Sequence, residues 1–524
     1  MTRCIYMKTC LMDTIKPNEN QLTILPLPEG ATEIKGIYYG RADLKRVQIP
    51  DGVVRIGDDA FMECPDLEEI HIPNSVKEIG EGAFFHCRKL KTIIIPPSVT
   101  EIKPSTFVGC YELKHIDLPG SITKIGRGAF LASGLEEIHL PDSVTEIENN
   151  AFDTCFALKE IHIPASVTEI GDFAFVFCPE LEHITVSPTN ERYDSRSDCN
   201  AIIETQTSTL IVGCKNTTVP DSVTKLGACP FYGNSTPKEI FIPDHLTEIG
   251  GNAFDSCPGI ESIRVSPSNK RYDSRSDCNA IIETQTHTLL YGCKNTIIPA
   301  GVTRIGDCAF RECSELTEIR IPDGVAQIGS LAFSQSGLKR IHIPDSVTEI
   351  GDCAFEGCTA LEEIHLPDGI TEIEELTFRG CSALKKVHLP DSVTKIGNGA
   401  FDECSALKEI HLPDSITKIE DFAFHCCHGL EKIYLPDSVT EIGEYAFDFC
   451  NALKEIRIPD SVTKIACGVF RRCSALIEVY IPDSVTEIES WAFDGCSALK
   501  KIPIPKSVTK IGDFAFKGCS ALGR

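Results

Sequence analysis

Apolar residues recur along the chain at a fixed spacing, so that nearly the same stretch of sequence returns every 23 residues. Counted from the leucine that opens each repeat, the apolar positions are 1, 4, 6, 10, 13 and 18. The alternation at the start of the repeat predicts a short strand over KEIHL, with one apolar face. In one repeat the apolar residues are Leu407, Ile410, Leu412, Ile416, Ile419 and Phe424.

The remainder of the repeat predicts turns and a second extended segment. Pro413 ends the first strand, because proline has no N–H to donate to a neighbouring strand. Asp414 and Ser415 favour a turn, since short polar side chains can hydrogen-bond the nearby backbone. The residues ITKI then predict a second extended pair. The segment EDFAFHCC predicts either a turn of helix or another short strand, with Phe424 pointing inward.

The pattern predicts a single array of nineteen complete repeats over residues 22–521. Residues 1–21 carry no repeat, and residues 522–524 begin a truncated one. Most repeats have 23 residues, three have 22, and two have 56, which is an ordinary repeat plus 33 residues. The two long repeats predict β-hairpin-like insertions at about 185–218 and 264–296. Complete repeats open at Leu22, Leu44, Leu67, Leu90, Leu113, Leu135, Leu158, Leu181, Pro237, Ile260, Leu316, Leu338, Leu361, Leu384, Leu407, Leu430, Leu453, Leu476 and Leu499.

No repeat can bury its apolar side alone, so the repeats must stack strand on strand, about 4.8 Å apart. The pattern L-x-x-I-x-L-P-x-S-V-T-x-I-G-x-x-A-F-x-x-C-x-x resembles the BspA-like, Treponema-type leucine-rich repeat. The inserted segment from Arg192 to Thr217 is similar to insertions in bacterial members of that family. The resemblance implies a repeat solenoid whose concave face is a parallel β-sheet. It also implies a non-enzymatic adhesion protein that binds other proteins at the cell surface or outside the cell.

Composition and charge narrow the range of partners. The chain of 524 residues carries 76 acidic and 50 basic side chains, a formal net charge of −26. Such a surface repels phosphate backbones and anionic lipid, so we expect neither nucleic acid nor a membrane surface as a partner. No apolar run approaches the roughly 20 residues that are needed to span a bilayer, so we expect no membrane insertion.

The ends of the sequence bear on location and assembly. Residues 1–21 contain no apolar segment long enough for a secretory signal, which favours a cytoplasmic location as the alternative to the cell surface. The sequence stops shortly after Leu522, which would leave the apolar edge of the last repeat without the polar cover that terminal repeats need. This predicts a capping partner, self-association through the uncapped C-terminal end, or a truncated reading frame.

Twenty-six cysteines would suggest disulfides in a small secreted protein, but their spacing favours a buried column of free thiols. Two of the 22-residue repeats end in LASG and SQSG without a cysteine, and a position that accepts serine is not a metal ligand. The segment HCCH at His425 has no second half at zinc-finger spacing. We therefore expect no metal site and no cofactor. Cysteine occupies position 21 at Cys64, Cys87, Cys110, Cys155, Cys178, Cys257, Cys313, Cys358, Cys381, Cys404, Cys427, Cys450, Cys473, Cys496 and Cys519.

The cysteines of the insertions leave two alternatives open. In CNAIIETQTSTLIVGC, a hairpin centred on the QT pair would place Cys199 directly opposite Cys214. The second copy would pair Cys278 with Cys293 in the same way. Opposed strand positions can meet disulfide geometry. The alternative is four buried free thiols, and the redox state of the compartment decides between the two.

Position 5 of the repeat faces outward, because positions 4 and 6 on either side of it are apolar and point inward. Tyrosine and arginine are residue types that anchor protein interfaces, and histidine would make binding depend on pH near neutrality. The alternative is that an exposed strand position accepts any residue with β-propensity. In successive repeats this position holds His342, His365, His388, His411, Tyr434, Arg457 and Tyr480.

Nothing in the sequence predicts an active site. The G-x-S-x-G, P-loop and H-E-x-x-H motifs are missing, and nearly every polar residue belongs to a repeating column. An enzyme needs a constellation that breaks the pattern, such as a nucleophile beside its base. The favoured interpretation is a scaffold that binds an unidentified protein ligand. The alternative is an intracellular scaffold with the same fold.

Overall fold

The computed structural model describes residues 23–36, 38–234, 238–257 and 259–523. The predicted segment 1–21 and the predicted repeat openings at Leu22 and Pro237 lie outside these residues. The chain packs as two compact parts, Met1–Gly259 and Ile260–Arg524, which we call the N-terminal half and the C-terminal half. Each half is built from short parallel strands joined by turns, which confirms the predicted repeat solenoid.

The strand predicted at the start of the repeat pairs in parallel with the same strand of the neighbouring repeat, and we call this set the first ladder. In Glu409–His411 the middle residue is buried and the two outer residues are exposed, because side chains alternate across a strand. In the N-terminal half the first-ladder strands are Thr23–Ile24, Arg46–Gln48, Glu69–His71, Thr92–Ile93, Glu137–Ile138, Glu160–Ile163, His183–Val186 and Glu239–Ile242. In the C-terminal half they are Ser262–Val265, Glu318–Arg320, Arg340–His342, Glu363–His365, Lys386–His388, Glu409–His411, Lys432–Tyr434, Glu455–Arg457 and Glu478–Tyr480.

The predicted second extended pair forms another parallel ladder, the second ladder, as in Lys418–Ile419 beside Lys395–Ile396. In these two strands the isoleucines are buried and the lysines lie at the surface. In the N-terminal half the second-ladder strands are Glu33–Ile34, Arg55–Ile56, Glu78–Ile79, Glu101–Ile102, Lys124–Ile125, Glu146–Ile147, Glu169–Ile170, Lys225–Leu226 and Glu248–Ile249. In the C-terminal half they are Arg304–Ile305, Gln327–Ile328, Glu349–Ile350, Glu372–Ile373, Lys395–Ile396, Lys418–Ile419, Glu441–Ile442, Lys464–Ile465, Glu487–Ile488 and Lys510–Ile511.

The segment EDFAFHCC is neither helix nor strand, so both predictions for it are wrong. It is a run of turns in which positions 16 and 20 adopt positive φ, as at Phe422 (56°) and Cys426 (55°). The N–H of Phe422 donates to the carbonyl of Glu444 in the next repeat at 2.9 Å, and that of Cys426 to Asp448 at 2.9 Å. A left-handed conformation costs about 1–2 kcal/mol for a residue with a side chain. The hydrogen bonds to the next repeat offset that cost.

The two insertions extend the second ladder. In each, three strands run antiparallel, and the third also pairs in parallel with the next second-ladder strand. Most of the apolar side chains of these strands are buried in the core. The insertion strands are Tyr193–Asp194, Ala201–Glu204, Thr209–Gly213, Tyr272–Asp273, Ala280–Glu283 and Thr288–Gly292, and short 3-10 helices span Arg196–Asp198 and Arg275–Asp277.

The structure holds the insertion cysteines as free thiols, and the two disulfides stay a prediction. A β-bulge after Ile202 shifts the strand register by one residue, so that Cys199 no longer faces Cys214. The thiol of Cys214 lies 3.3 Å from the carbonyl oxygen of Asn200 and donates to it. The second copy has the same bulge. The four buried thiols are Cys199, Cys214, Cys278 and Cys293.

Gly213 and Gly292 end the insertion strands at places where a side chain would collide with the core. A Cβ added at Gly213 would lie 2.2 Å from Cε1 of Phe231. One added at Gly292 would lie 2.1 Å from Cε1 of Phe310. The glycines therefore let each insertion strand pass against the aromatic ring of the following repeat.

The core consists of columns, because residues at one position of the repeat stack on one another. In the N-terminal half, neighbouring position-18 rings from Phe61 to Phe175 are nearly parallel, with centroids 5.3–5.6 Å apart, and Tyr38, at position 17 of a 22-residue repeat, stacks on Phe61 in the same way. The same column runs from Phe310 to Phe516 in the C-terminal half. Phe424 is fully buried between two other phenylalanines of this column.

The position-21 cysteines are free thiols, most of them buried, which confirms the predicted column. Most of them donate a hydrogen bond to the carbonyl of the position-18 residue one repeat earlier, as Cys404 does to Phe378 at 3.2 Å. Serine takes this place at Ser133 and Ser336, each 3.4 Å from the sulfur of the next cysteine. Burial raises the pKa of these thiols, to about 12 for Cys155.

We expect Phe424→Ala to lower the free energy of unfolding by about 3–5 kcal/mol, because it leaves a cavity in a close-packed column. Phe422→Ala in the same repeat is the matched control. The side chain of Phe422 is 40 % exposed, so its loss should cost about 1 kcal/mol or less. Denaturant unfolding of the purified chains measures both values. Equal losses would contradict position 18 as the core column.

The buried thiols should make the fold unstable in alkali. The unfolded chain ionises its thiols near pH 9, whereas the folded chain holds the thiol protons of Cys358 and Cys155 up to pKa values of about 11 and about 12. Between pH 9 and these higher pKa values, the thiols of the unfolded chain have lost their protons, whereas the thiols of the folded chain retain them. The free energy of unfolding therefore falls as pH rises, by about 1.4 kcal/mol per thiol per pH unit. Below pH 9 the contribution of the thiols is fully present.

Denaturant unfolding in reducing buffer from about pH 8 to about pH 11 measures this slope. Serine occurs naturally in the column, so a variant with Cys381→Ser, Cys404→Ser and Cys427→Ser should fold and should lose stability more slowly as the pH rises. A slope unchanged from that of the parent chain would contradict the assignment of alkaline instability to the buried thiols.

Candidate binding surface on the first ladder

The seven residues predicted to face a partner are all exposed in the structure. Each is the last residue of a first-ladder strand and follows a position-4 side chain that points into the core. Several neighbours are direct register partners in the ladder. We call this set the position-5 row, which consists of His342, His365, His388, His411, Tyr434, Arg457 and Tyr480.

The histidine part of the row contains a stacked pair. The rings of His365 and His388 are nearly parallel, with centroids 3.8 Å apart. The Nε2 atoms of His388 and His365 lie 3.0 Å and 3.9 Å from one oxygen of Glu363. The hydrogen bond with His388 lowers the pKa of Glu363. All three side chains are more than two-fifths exposed, so water competes for each of them.

The other end of the row carries tyrosine, arginine and tyrosine in three successive repeats. Tyr434 and Tyr480 are 52 % and 49 % exposed. Arg457 donates to Oδ1 of Asp437 at 2.9 Å, and its guanidinium lies over the ring of Tyr480, 5.7 Å from the centroid. The hydrogen bond to Asp437 raises the pKa of Arg457. These contacts hold a long cationic side chain in one orientation on the strand surface.

A shallow depression of about 450 Å³ is lined by the strands of the same three repeats. Lys454 and Glu431 line it and form an ion pair of 2.8 Å. Ile477, which also lines it, is 44 % exposed. The depression therefore offers a partner an ion pair and an apolar side chain close to the tyrosines of the row.

Sequence reasoning missed a column of alternating charge at position 19. Neighbouring members of the column lie 2.7–3.9 Å apart. The hydrogen bond with Asp402 raises the pKa of His425. Comparing position 19 through successive repeats would have revealed this column. Reading the segment HCCH along a single repeat does not reveal it. The column consists of Glu356, Arg379, Asp402, His425, Asp448, Arg471 and Asp494.

Exposed aromatic rings at position 16 form a second feature that sequence reasoning missed. Phe422 stacks on Tyr445 with the ring centroids 5.3 Å apart. Trp491 stacks on Phe514 with a separation of 6.3 Å. Trp491 is 39 % exposed and Phe514 57 %. These rings lie at the surface, outside the position-18 column.

The chain matches the family model described as the BspA type leucine rich repeat region. The matched segments are 32–155, 124–208, 212–285, 280–408 and 394–523, which together span most of the chain. A search of curated proteins gave no match. In the part of the chain that the structure describes, no helix has the length and hydropathy of a membrane span.

Several solved structures are similar in sequence. A leucine-rich repeat protein from Bacteroides ovatus ATCC 8483 is 31 % identical over 78 % of this chain and 83 % of its own, with a TM-score of 0.30. A leucine rich cell surface protein from Faecalibacterium prausnitzii A2-165 is 27 % identical over 84 % and 87 %, with a TM-score of 0.33. The pneumococcal vaccine antigen PcpA is 19 % identical over 79 % and 85 %, with a TM-score of 0.36. On the family match, which covers most of its length, the chain belongs to the BspA-type leucine-rich-repeat family.

Proposed function

We propose that this protein is a non-enzymatic scaffold that binds another protein through the position-5 row and acts in adhesion at the cell surface. The main support for the proposal is a set of three exposed residues in successive repeats, Tyr434, Arg457 and Tyr480. Contacts with Asp437 and Tyr480 already orient the arginine of this set. Family membership supports a scaffold without catalysis, since the fold is a repeat array.

The physical properties of the segment are those of an interface anchor. Tyrosine and arginine are the residues most often found to dominate binding free energy. Arg457 is held by Asp437, so it loses less conformational freedom when a partner arrives. Tyr434 and Tyr480 are two strand spacings apart, about 10 Å, and each presents a large rigid surface. A protein partner could bury both rings around one oriented charge.

The location at the cell surface is supported by the family and by one similar protein. The protein from Faecalibacterium prausnitzii is described as a leucine rich cell surface protein. An adhesion role fits a long row of exposed side chains better than a single pocket. Self-association through the C-terminal end stays a prediction.

An intracellular scaffold is the second candidate, and the free cysteines favour it. The core contains a column of buried free thiols, and the four insertion cysteines are free thiols as well. A reducing compartment keeps thiols in this state. The partner would then be a protein inside the cell, bound through the same row.

We expect a variant with Tyr434→Ala, Arg457→Ala and Tyr480→Ala to bind about 100-fold or more weakly to intact neighbouring or host cells. Two or three anchor residues that each contribute about 2 kcal/mol account for such a loss. Binding of the fluorescently labelled protein, measured as a function of concentration, gives the affinity. Protease treatment of the target cells should abolish binding if the ligand is a protein.

The matched control carries Glu441→Ala, Lys464→Ala and Glu487→Ala, which lie in the same three repeats on the second ladder. It should bind like the parent chain. Unchanged binding of the first variant would exclude the row as the contact and leave the insertions as the next surface to test. Equal losses in both variants would attribute the effect to the fold.

Protease treatment of intact cells of the source organism, followed by mass spectrometry, tests the location. We expect peptides from these repeats to be released before lysis, because a protein at the cell surface is accessible to the protease. A cytosolic protein that stays intact serves as the control. Protection of the repeats until lysis would contradict the surface location and favour the intracellular scaffold.

A further inference from the structure

His425 lies in a cluster with acidic side chains of the repeats before and after it. Its Nδ1 atom is 2.7 Å from Oδ1 of Asp402. Its Nε2 atom is 3.5 Å from Sγ of Cys426 and 3.9 Å from Oδ2 of Asp448. The side chains of His425 and Asp402 are only 25 % and 13 % exposed. An imidazole, a thiol and two carboxylates therefore meet in a sheltered place.

Asp402 fixes the orientation of the imidazole. A carboxylate only accepts hydrogen bonds, so Nδ1 of His425 is the donor in the 2.7 Å contact. The second ring nitrogen, Nε2, then faces Cys426 and Asp448. Asp402 is itself held by Arg379 at 3.3 Å. Metal-binding histidines commonly donate their other N–H to a carboxylate in this way.

Asp448 supplies an independent indication of a missing partner. Its side chain is 3 % exposed, and Oδ1 has no hydrogen-bond partner. Its other oxygen, Oδ2, lies 3.5 Å from Nη1 of Arg471. A buried carboxylate oxygen without a partner is costly, and a cation bound beside it would remove that cost.

The separations suit zinc. Zn–N and Zn–S bonds of about 2.05 Å and 2.3 Å at the tetrahedral angle place the two ligand atoms about 3.6 Å apart, close to the 3.5 Å between Nε2 and Sγ. Oδ2 of Asp448 lies 3.9 Å from Nε2 of His425, about 0.6 Å farther than two ligand atoms of one zinc ion, so Asp448 can bind the ion only after its side chain moves toward it. The rings of Phe422 and Phe449 meet the imidazole edge-on at 5.8 and 6.0 Å and limit the access of water.

We propose that Nε2 of His425, Sγ of Cys426 and the carboxylate of Asp448 bind one Zn²⁺ ion or a similar borderline-soft divalent cation. Water fills the fourth place, and Asp402 is a positioning residue. Binding displaces the thiol proton and any proton on Nε2 to solvent. The ion would link the turn segments of two adjacent repeats, independently of the position-5 row.

Titration of the purified full-length chain with Co²⁺ in reducing buffer tests the proposal, because a cobalt–thiolate bond absorbs in the near ultraviolet and Zn²⁺ displaces the cobalt. We expect one such site per chain. Cys426→Ser should remove the absorption band, and Asp448→Asn should weaken binding at least tenfold. Asp402→Asn should weaken it 10–100-fold, as expected for the loss of a group that orients a ligand.

Cys353→Ser is the matched control, because Cys353 is also half-buried and has acidic neighbours. It should keep the band and the affinity. The proposal is overturned if the parent chain binds no Co²⁺, if the band survives Cys426→Ser, or if Cys353→Ser removes it equally. His425 would then be only a cation in the position-19 column. Circular dichroism of each variant checks that it folds, and Asp448→Asn keeps the test decisive if Cys426→Ser does not.

Discussion

The hydrogen bonds that join each repeat to the next are the interaction on which the rest of the structure depends. They run along both strand ladders and along the turn segment, where Phe422 and Cys426 donate to the following repeat. A single repeat has no closed core, because its apolar side chains face a centre that only stacking fills. Since the register is constant, every position of the repeat becomes a column.

A column places like side chains next to each other, which favours some residue types and penalises others. Stacked phenylalanines such as Phe424 gain close contacts, and stacked cysteines satisfy their thiols with backbone carbonyls. Like charges about 5 Å apart would repel by about 0.8 kcal/mol in water and by more where they are buried. Position 19 avoids this by alternating the sign of its charges, with His425 standing among carboxylates.

The two sites that we propose lie in repeats where a column changes residue. The position-5 row changes from histidine to Tyr434, Arg457 and Tyr480, and an oriented arginine appears there. The position-19 column changes to His425 where the next residue, Cys426, carries a thiol toward the same space. The two places lie on different faces of the repeat, on the first ladder and on the turn segment. An experiment on one of these two sites therefore does not test the other.

The 23-residue period by itself determined the two ladders, the buried positions, the cysteine column and the exposure of the position-5 row. These features follow directly from the alternation of apolar and polar positions and from the constant spacing of the repeats. The backbone conformation of the turn segment could be seen only in the tertiary structure, since the positive φ of residues such as Phe422 depends on hydrogen bonds to the next repeat. The tertiary structure also decided the register before Ile203, where a bulge shifts the pairing so that Cys199 no longer faces Cys214. The acidic neighbours of His425, Asp402 and Asp448, come from other repeats, so the HCCH segment does not contain them.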